Sequence, residues 1–237
     1  NTVHVWRSHF ESVSISEKKS LGFLSDEEIE RARRFVRESD RDRYIFAHAL
    51  LRSILGTYLG CLPQELVFGT HPYGKPFLVN THGNMEIQFN LSHSHNMVLI
   101  AVARSRAVGI DVEYIRRIPD ALEIVDRFFS ISERRFLSSL SATDFNEAFF
   151  ACWTAKEAFA KGLGKGLSYP LDKLSVLYSD EGREDIVCDD AGDFPSWKVM
   201  TFAPSAGYSG ALAIEAPVNE VGFFEYREQY SACQVGY

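Results

Sequence analysis

Apolar and polar residues alternate through Thr2–Trp6, which predicts a short strand. Ser25 followed by Asp26, Glu27 and Glu28 reads as an N-cap with acids in the first turn of a helix that continues through IERARRFV. A second helix is expected from about Asp40 to Gly60, a glycine suited to the left-handed residue that ends helices. Leu66–Phe68 reads as a short strand, and Pro72, Gly74 and Pro76 turn the segment that begins at His71. Ile87–Leu91, Met97–Ala103 and Val108–Glu113 have strand character. Asn90–His95 is expected to end its strand and leave Ser92 and His93 on a loop.

The second half repeats this order in outline. Helical patterns cover roughly Ala121–Phe129, Ser132–Leu140 and Asp144–Leu163, and strands follow near Leu174–Tyr178, Trp197–Phe202 and Ala211–Ala216. Turns are expected at Asp180–Gly182 and Asp189–Gly192. Each half reads as strand, helices, then a meander. The expected class is therefore α+β, with two similar lobes over 1–105 and 106–237 and no Pro/Gly/Ser-rich linker between them.

Composition narrows the function classes. Hydrophobic residues make up 46% and charged residues 24%, ordinary for a globular protein, and 18 Phe with 10 Tyr supply core material. No apolar run approaches the roughly 20 residues that span a bilayer. The N-terminus lacks a signal-peptide hydrophobic region, so a cytoplasmic location with no membrane partner is expected. The four cysteines are far apart in sequence and form no CxxC, which suggests neither a zinc site nor a disulfide framework. A net charge of −7 argues against a nucleic-acid partner. Any anionic ligand must be held by a local basic cluster.

Two stretches carry candidate chemistry. In VGIDVE, Val108, Ile110 and Val112 share one face of a strand. Asp111 and Glu113 share the other, about 7 Å apart at Cα by strand rise. Such a pair is either a half-buried strand with a wet acidic face or a divalent-metal site, whose hard oxygen ligands would suit Mg²⁺. In WTAKEAFAKGLGKGL, Trp153, Glu157 and Lys161 follow at i, i+4 and i+8 on one helix face, while Lys156 falls on the apolar stripe, where a lysine needs a reason. The Glu157–Lys161 spacing also fits a surface ion pair of a few tenths of a kcal/mol. GLGKGLS follows a helix and lacks P-loop spacing.

These blocks, with YGKPFL at Tyr73–Leu78, FNLSHS at Phe89–Ser94 and RFFS..E at Arg127–Glu133, resemble the 4'-phosphopantetheinyl transferases of the surfactin-synthetase-activating type over most of the chain. The resemblance implies a pseudo-twofold α+β fold, a monomer, and an active site in the cleft between lobes. It implies transfer of phosphopantetheine from coenzyme A to a serine of an acyl or peptidyl carrier protein, with Mg²⁺ as cofactor. By position it makes Asp111, Glu113 and Glu157 the metal-facing carboxylates, with Glu157 and Lys161 the catalytic pair. Arg31, Arg43, Lys75, Ser92, His93, Lys156 and Lys161 are implied to hold the coenzyme. A non-catalytic binding module on the same fold and a Mg²⁺-dependent phosphohydrolase are the rival readings.

Overall fold

The computed structural model describes residues 2–10, 20–79, 86–178, 184–188, 196–226 and 233–234. Strand β1 (Thr2–His9) comes first. Helix α1 (Asp26–Arg33) opens on a capping box in which Ser25 Oγ accepts from the Glu28 N–H and the Glu28 carboxylate accepts from the Ser25 N–H. Helix α2 (Glu38–Leu59) stops at Gly60, which is left-handed at φ +65°. Strands β2 (Phe68–Thr70) and β3 (Pro76–Leu78) form a hairpin over the expected turn. The hairpin starts two residues later than the pattern suggested, because the Leu66 carbonyl accepts from Arg52 and has no strand partner.

Strands β4 (Ile87–Ser94), β5 (Met97–Arg104) and β6 (Val108–Tyr114) follow. Helices α3 (Ala121–Phe128), α4 (Ile131–Ser139) and α5 (Ala142–Leu163) come next, the last ending at left-handed Gly164. Strands β7 (Leu174–Tyr178), β8 (Glu184–Cys188), β9 (Trp197–Phe202), β10 (Tyr208–Glu215), β11 (Glu220–Glu225) and β12 (Cys233–Gln234) complete the chain. The turns expected at Asp180–Gly182 and Asp189–Gly192 lie outside the described residues.

The strands form a five-stranded sheet, β12-β11-β1-β5-β4, and a three-stranded sheet, β6-β10-β9, with β2-β3 and β7-β8 as separate ribbons. Alternation along β5 fixes the layering. Val98, Ile100 and Val102 pack with Phe46, Leu50 and Ile54 of α2, whereas Met97, Leu99 and Ala101 pack with Val108, Ile110 and Val112 of β6. On the far side Ala211 and Ala213 of β10 pack with Ala155, Ala158 and Phe159 of α5. The layers therefore run helix, sheet, sheet, helix, and the α+β class is the observed one. Both outer helices, α2 and α5, are 22 residues long. β11 returns from the second half to pair in parallel with β1, and the Tyr226 hydroxyl bonds Ser53 of α2 at 2.9 Å.

One glycine brings the site together. A Cβ on Gly109 would lie 1.9 Å from the Ala158 carbonyl oxygen and 2.3 Å from the Gly162 nitrogen. Helix α5 lies with its backbone directly on β6, which puts Lys161 within reach of Asp111.

Candidate active site

β6 turns Val108, Ile110 and Val112 into the inter-sheet core and Asp111 and Glu113 the other way. The wet acidic face is corrected at one position: Asp111 is 4% exposed. Its Oδ1 accepts from Lys161 Nζ at 2.6 Å and from the Ser92 hydroxyl at 2.8 Å. Its Oδ2 is buried and finds no hydrogen-bond partner among the described residues. Glu113 is half-buried, accepts from the Ser94 hydroxyl at 2.7 Å and lies 3.7 Å from the Arg116 guanidinium. Glu157 stands one helical turn before Lys161. No donor among the described residues reaches its carboxylate.

The electrostatics follow from that shortage of donors. Burial, then the charge on Asp111, push the Glu157 carboxyl up to about 7; Lys161 opposes the shift and Glu113 adds to it. Burial raises Glu113 as well, with Asp111 adding and the Ser94 hydrogen bond, Arg116 and Lys161 opposing. Three carboxylates thus share one close lysine. Among the described residues no three His, Cys, Asp or Glu side chains already stand at metal-binding geometry. The donor chemistry nevertheless fits a hard divalent cation: all three candidate groups are carboxylates, and no donor among the described residues reaches the buried Asp111 Oδ2.

A basic strip lies beside this cluster. Arg31 sits over the Tyr44 ring at 5.6 Å, and Tyr44 lies against His48 with centroids 4.0 Å apart. His93 is lowered by desolvation and by the charges of Lys161, His48 and Arg43, with Asp111 opposing. Lys161, His48 and Arg43 thus lie close enough to act on His93, and Arg31 joins them only through the Tyr44 ring. Sequence reasoning missed Tyr44 and His48, whose signal is only that they share a face of α2 four residues apart.

Three expectations change. Ser92 and His93 are not on a loop: β4 runs to Ser94, with Ser92 opposite Leu99 and His93 opposite Val98. Asn90, Ser92 and Ser94 stay in the strand because their side chains find partners on β6, while His93 on the opposite face is exposed. Lys156 does not face the site. It is 0% exposed, and its ammonium pairs with Glu133 at 2.7 Å and donates to the Leu171 and Leu174 carbonyls. Its three protons are spent there, on the seating of α4 and β7 against α5. Burial lowers Lys156, and Glu133 opposes the shift. Lys75 donates to the Val108 and Gly162 carbonyls, both at 2.9 Å, and burial pushes it down to about 8.

Residues 107–213 match the family model described as the 4'-phosphopantetheinyl transferase superfamily, and residues 11–105 match that of the 4'-phosphopantetheinyl transferase N-terminal region. The chain is 34% identical over 212 residues to the 4'-phosphopantetheinyl transferase HetI of a Nostoc species, covering 90% of this chain and 87% of that one. It is 32% identical over 200 residues to the 4'-phosphopantetheinyl transferase Sfp of Bacillus subtilis, covering 84% and 86%. A solved holo-(acyl-carrier-protein) synthase from Bacillus anthracis, in complex with CoA, aligns with 46% of this chain and 93% of its own at 21% identity and a TM-score of 0.41, too partial a likeness to bear on the fold. The chain belongs to the 4'-phosphopantetheinyl transferase superfamily.

Proposed function

We propose that this protein transfers the 4'-phosphopantetheine group of coenzyme A to a serine of an acyl or peptidyl carrier protein, releasing 3',5'-ADP. The serine oxygen bonds to the β-phosphorus, the bond from that phosphorus to the ADP oxygen breaks, and the serine proton passes to the Glu157 carboxylate. Family membership supports the reaction class. The observation that carries the residue assignment is the placement of Glu157, a carboxyl that no donor among the described residues reaches, one helical turn from Lys161, whose ammonium meets Asp111 at 2.6 Å.

Asp111, Glu113 and Glu157 would hold Mg²⁺, which when bound supplies charge neutralisation for the phosphates. Lys161 meets charge on the bridging and leaving oxygens. Arg43, His93 and Arg31 lead away from it toward the 3'-phosphate and adenine, and Lys75 has one proton left to offer. Ser92 has committed its only proton to Asp111 and accepts from Lys161 Nζ at 3.0 Å, so it serves the site by holding those two groups.

In this reading the lobes are 1–105 and 106–237, with the active cleft where β4 meets β6. The protein acts as a cytoplasmic monomer with neither nucleic acid nor membrane as partner. No helix among the described residues is long and apolar enough to cross a membrane.

Incubating an apo-carrier protein with coenzyme A, Mg²⁺ and this protein should add one phosphopantetheine to the carrier by intact-protein mass spectrometry. Free phosphopantetheine with an unmodified carrier would mark a hydrolase, and binding without turnover a non-catalytic module. His93→Ala should weaken coenzyme A by roughly tenfold to a hundredfold, the size of a charge-assisted hydrogen bond. It should scarcely affect dephospho-coenzyme A, and equal losses on the two donors would remove His93 from the 3'-phosphate.

A further inference from the structure

Each main sheet ends in a long strand on this side of the molecule, β4 in one and β6 in the other. An edge strand carries backbone groups that need partners when they are buried. Along β6 those groups are met at every second residue by side chains from the first half of the chain. The Val108 carbonyl accepts from Lys75 Nζ at 2.9 Å. The Ile110 N–H donates to Asn90 Oδ1 at 2.8 Å, the Val112 N–H to Ser92 Oγ at 3.4 Å and the Tyr114 N–H to Ser94 Oγ at 3.1 Å. Each of the last three bonds joins residues 20 apart in sequence, so the register is constant.

The two serines also return a bond. Ser92 donates to Asp111 Oδ1, and Ser94 donates to Glu113 Oε2. A hydroxyl has one proton and two lone pairs. With the proton given to the carboxylate, the oxygen is left facing the N–H of the following residue, and each serine grips both the carboxylate and the backbone behind it. A main-chain ladder between β4 and β6 would merge the sheets into one. Side chains that stand up from the face of β4 let the sheets stack and still close the edge. Asn90, Ser92 and Ser94 point that way because they lie opposite Ala101, Leu99 and Met97, and Leu99, Ala101 and Met97 belong to the inter-sheet core.

We propose that Lys75, Asn90, Ser92 and Ser94 are positioning residues that replace main-chain pairing across the junction of the sheets and set the angles of Asp111 and Glu113. The metal-related part rests on the assignment of those carboxylates under the proposed function; the edge-closing part does not. Hydrogen exchange of the metal-free full chain, resolved at single amides, tests the edge. The Ile110, Val112 and Tyr114 amides should be protected in wild type. Ser94→Ala should speed exchange at Tyr114 by at least about tenfold and leave Ile110 unchanged, and Ser94→Thr, which keeps the hydroxyl, should restore protection. Mn²⁺ titration followed by electron paramagnetic resonance tests the carboxylate. Its Kd should weaken roughly tenfold in Ser94→Ala and recover in Ser94→Thr.

Fast exchange at all three amides in wild type would overturn the closed edge. Lost protection at Tyr114 with an unchanged Mn²⁺ Kd would overturn the positioning of Glu113. If Ser94→Ala fails to fold, seen as lost protection at Ile100 and Leu212, Ser94→Cys serves in its place, since the thiol has similar volume and donates weakly. Neither readout uses transfer. A chain with a protected edge that leaves carrier proteins unmodified would overturn the function and not the junction.

Discussion

Glu28 on α1 and Glu157 on α5 are both partly buried glutamates, and their surroundings drive them in opposite directions. Burial pushes Glu28 up, but the His48 hydrogen bond, the Ser25 N–H, and the charges of Arg52 and His48 outweigh it and bring the carboxyl down to about 2. Arg52 Nε reaches Glu28 at 2.7 Å, and His48 Nδ1 at 3.0 Å. Arg52 is itself 2% exposed and spends another N–H group on the Pro63 and Leu66 carbonyls. Glu157 has comparable burial, no donor among the described residues, and two acids for neighbours, and it rises to about 7. Burial alone therefore does not separate scaffold from site in this molecule. Between these two glutamates the supply of donors does: the satisfied one holds structure, and the starved one stays free to bind a cation or take a proton.

The comparison breaks most sharply at Glu157. Glu157→Gln should lower kcat/KM for carrier modification by about 10²–10⁴, the usual worth of a general base, with no loss of thermal stability. Near-normal turnover would remove Glu157 from the chemistry.

At Glu28 the same kind of change should hit the fold. Glu28→Ala leaves Arg52 buried without its carboxylate, a change that costs about 3–5 kcal/mol. The thermal midpoint should fall by on the order of 10 °C, with kcat per folded molecule kept within a few-fold. Unchanged urea unfolding would mean that the Glu28–Arg52 pair is not structural.

The smallest effect concerns pH, and it has opposite signs at the two positions. Glu157 is raised from 4.5 to about 7 in the folded state. Between those values the folded protein holds a proton that the unfolded chain has released, so this group's contribution to stability falls as pH rises. Glu157→Gln, which cannot ionise, should match wild type near pH 4 and exceed it by on the order of 1–2 kcal/mol at pH 8, after allowance for partial solvent screening. Glu28 is lowered from 4.5 to about 2, so its stabilisation is complete above 4.5 and is lost as pH falls toward 2. The gap between wild type and Glu28→Ala should therefore narrow in acid. Urea unfolding at pH 3, 4, 6 and 8 reads both trends, and parallel curves for the two variants would mean that the two environments do not differ as described.

The features legible in the sequence are those decided within a few residues. The Ser25 cap, the stop at Gly60, and the alternation that puts Asp111 and Glu113 on one side of β6 all follow from capping chemistry and strand period. The family motifs marked the right blocks for the same reason, since each is local. Tertiary structure alone decided what those side chains meet. Ser92 looks like a loop residue until β6, 20 positions later, presents an N–H group that needs an acceptor. Lys156 looks like a phosphate ligand until Glu133 and two carbonyls take all its protons. Gly109 reads as a strand glycine until α5 lies on it. Asp111, which one of the two readings of VGIDVE put on a wet acidic face, is buried where α5 meets β6. Sequence period sets where a side chain points, but burial and the count of available donors depend on segments brought in from elsewhere in the chain, and those two quantities set the charge state of each carboxylate.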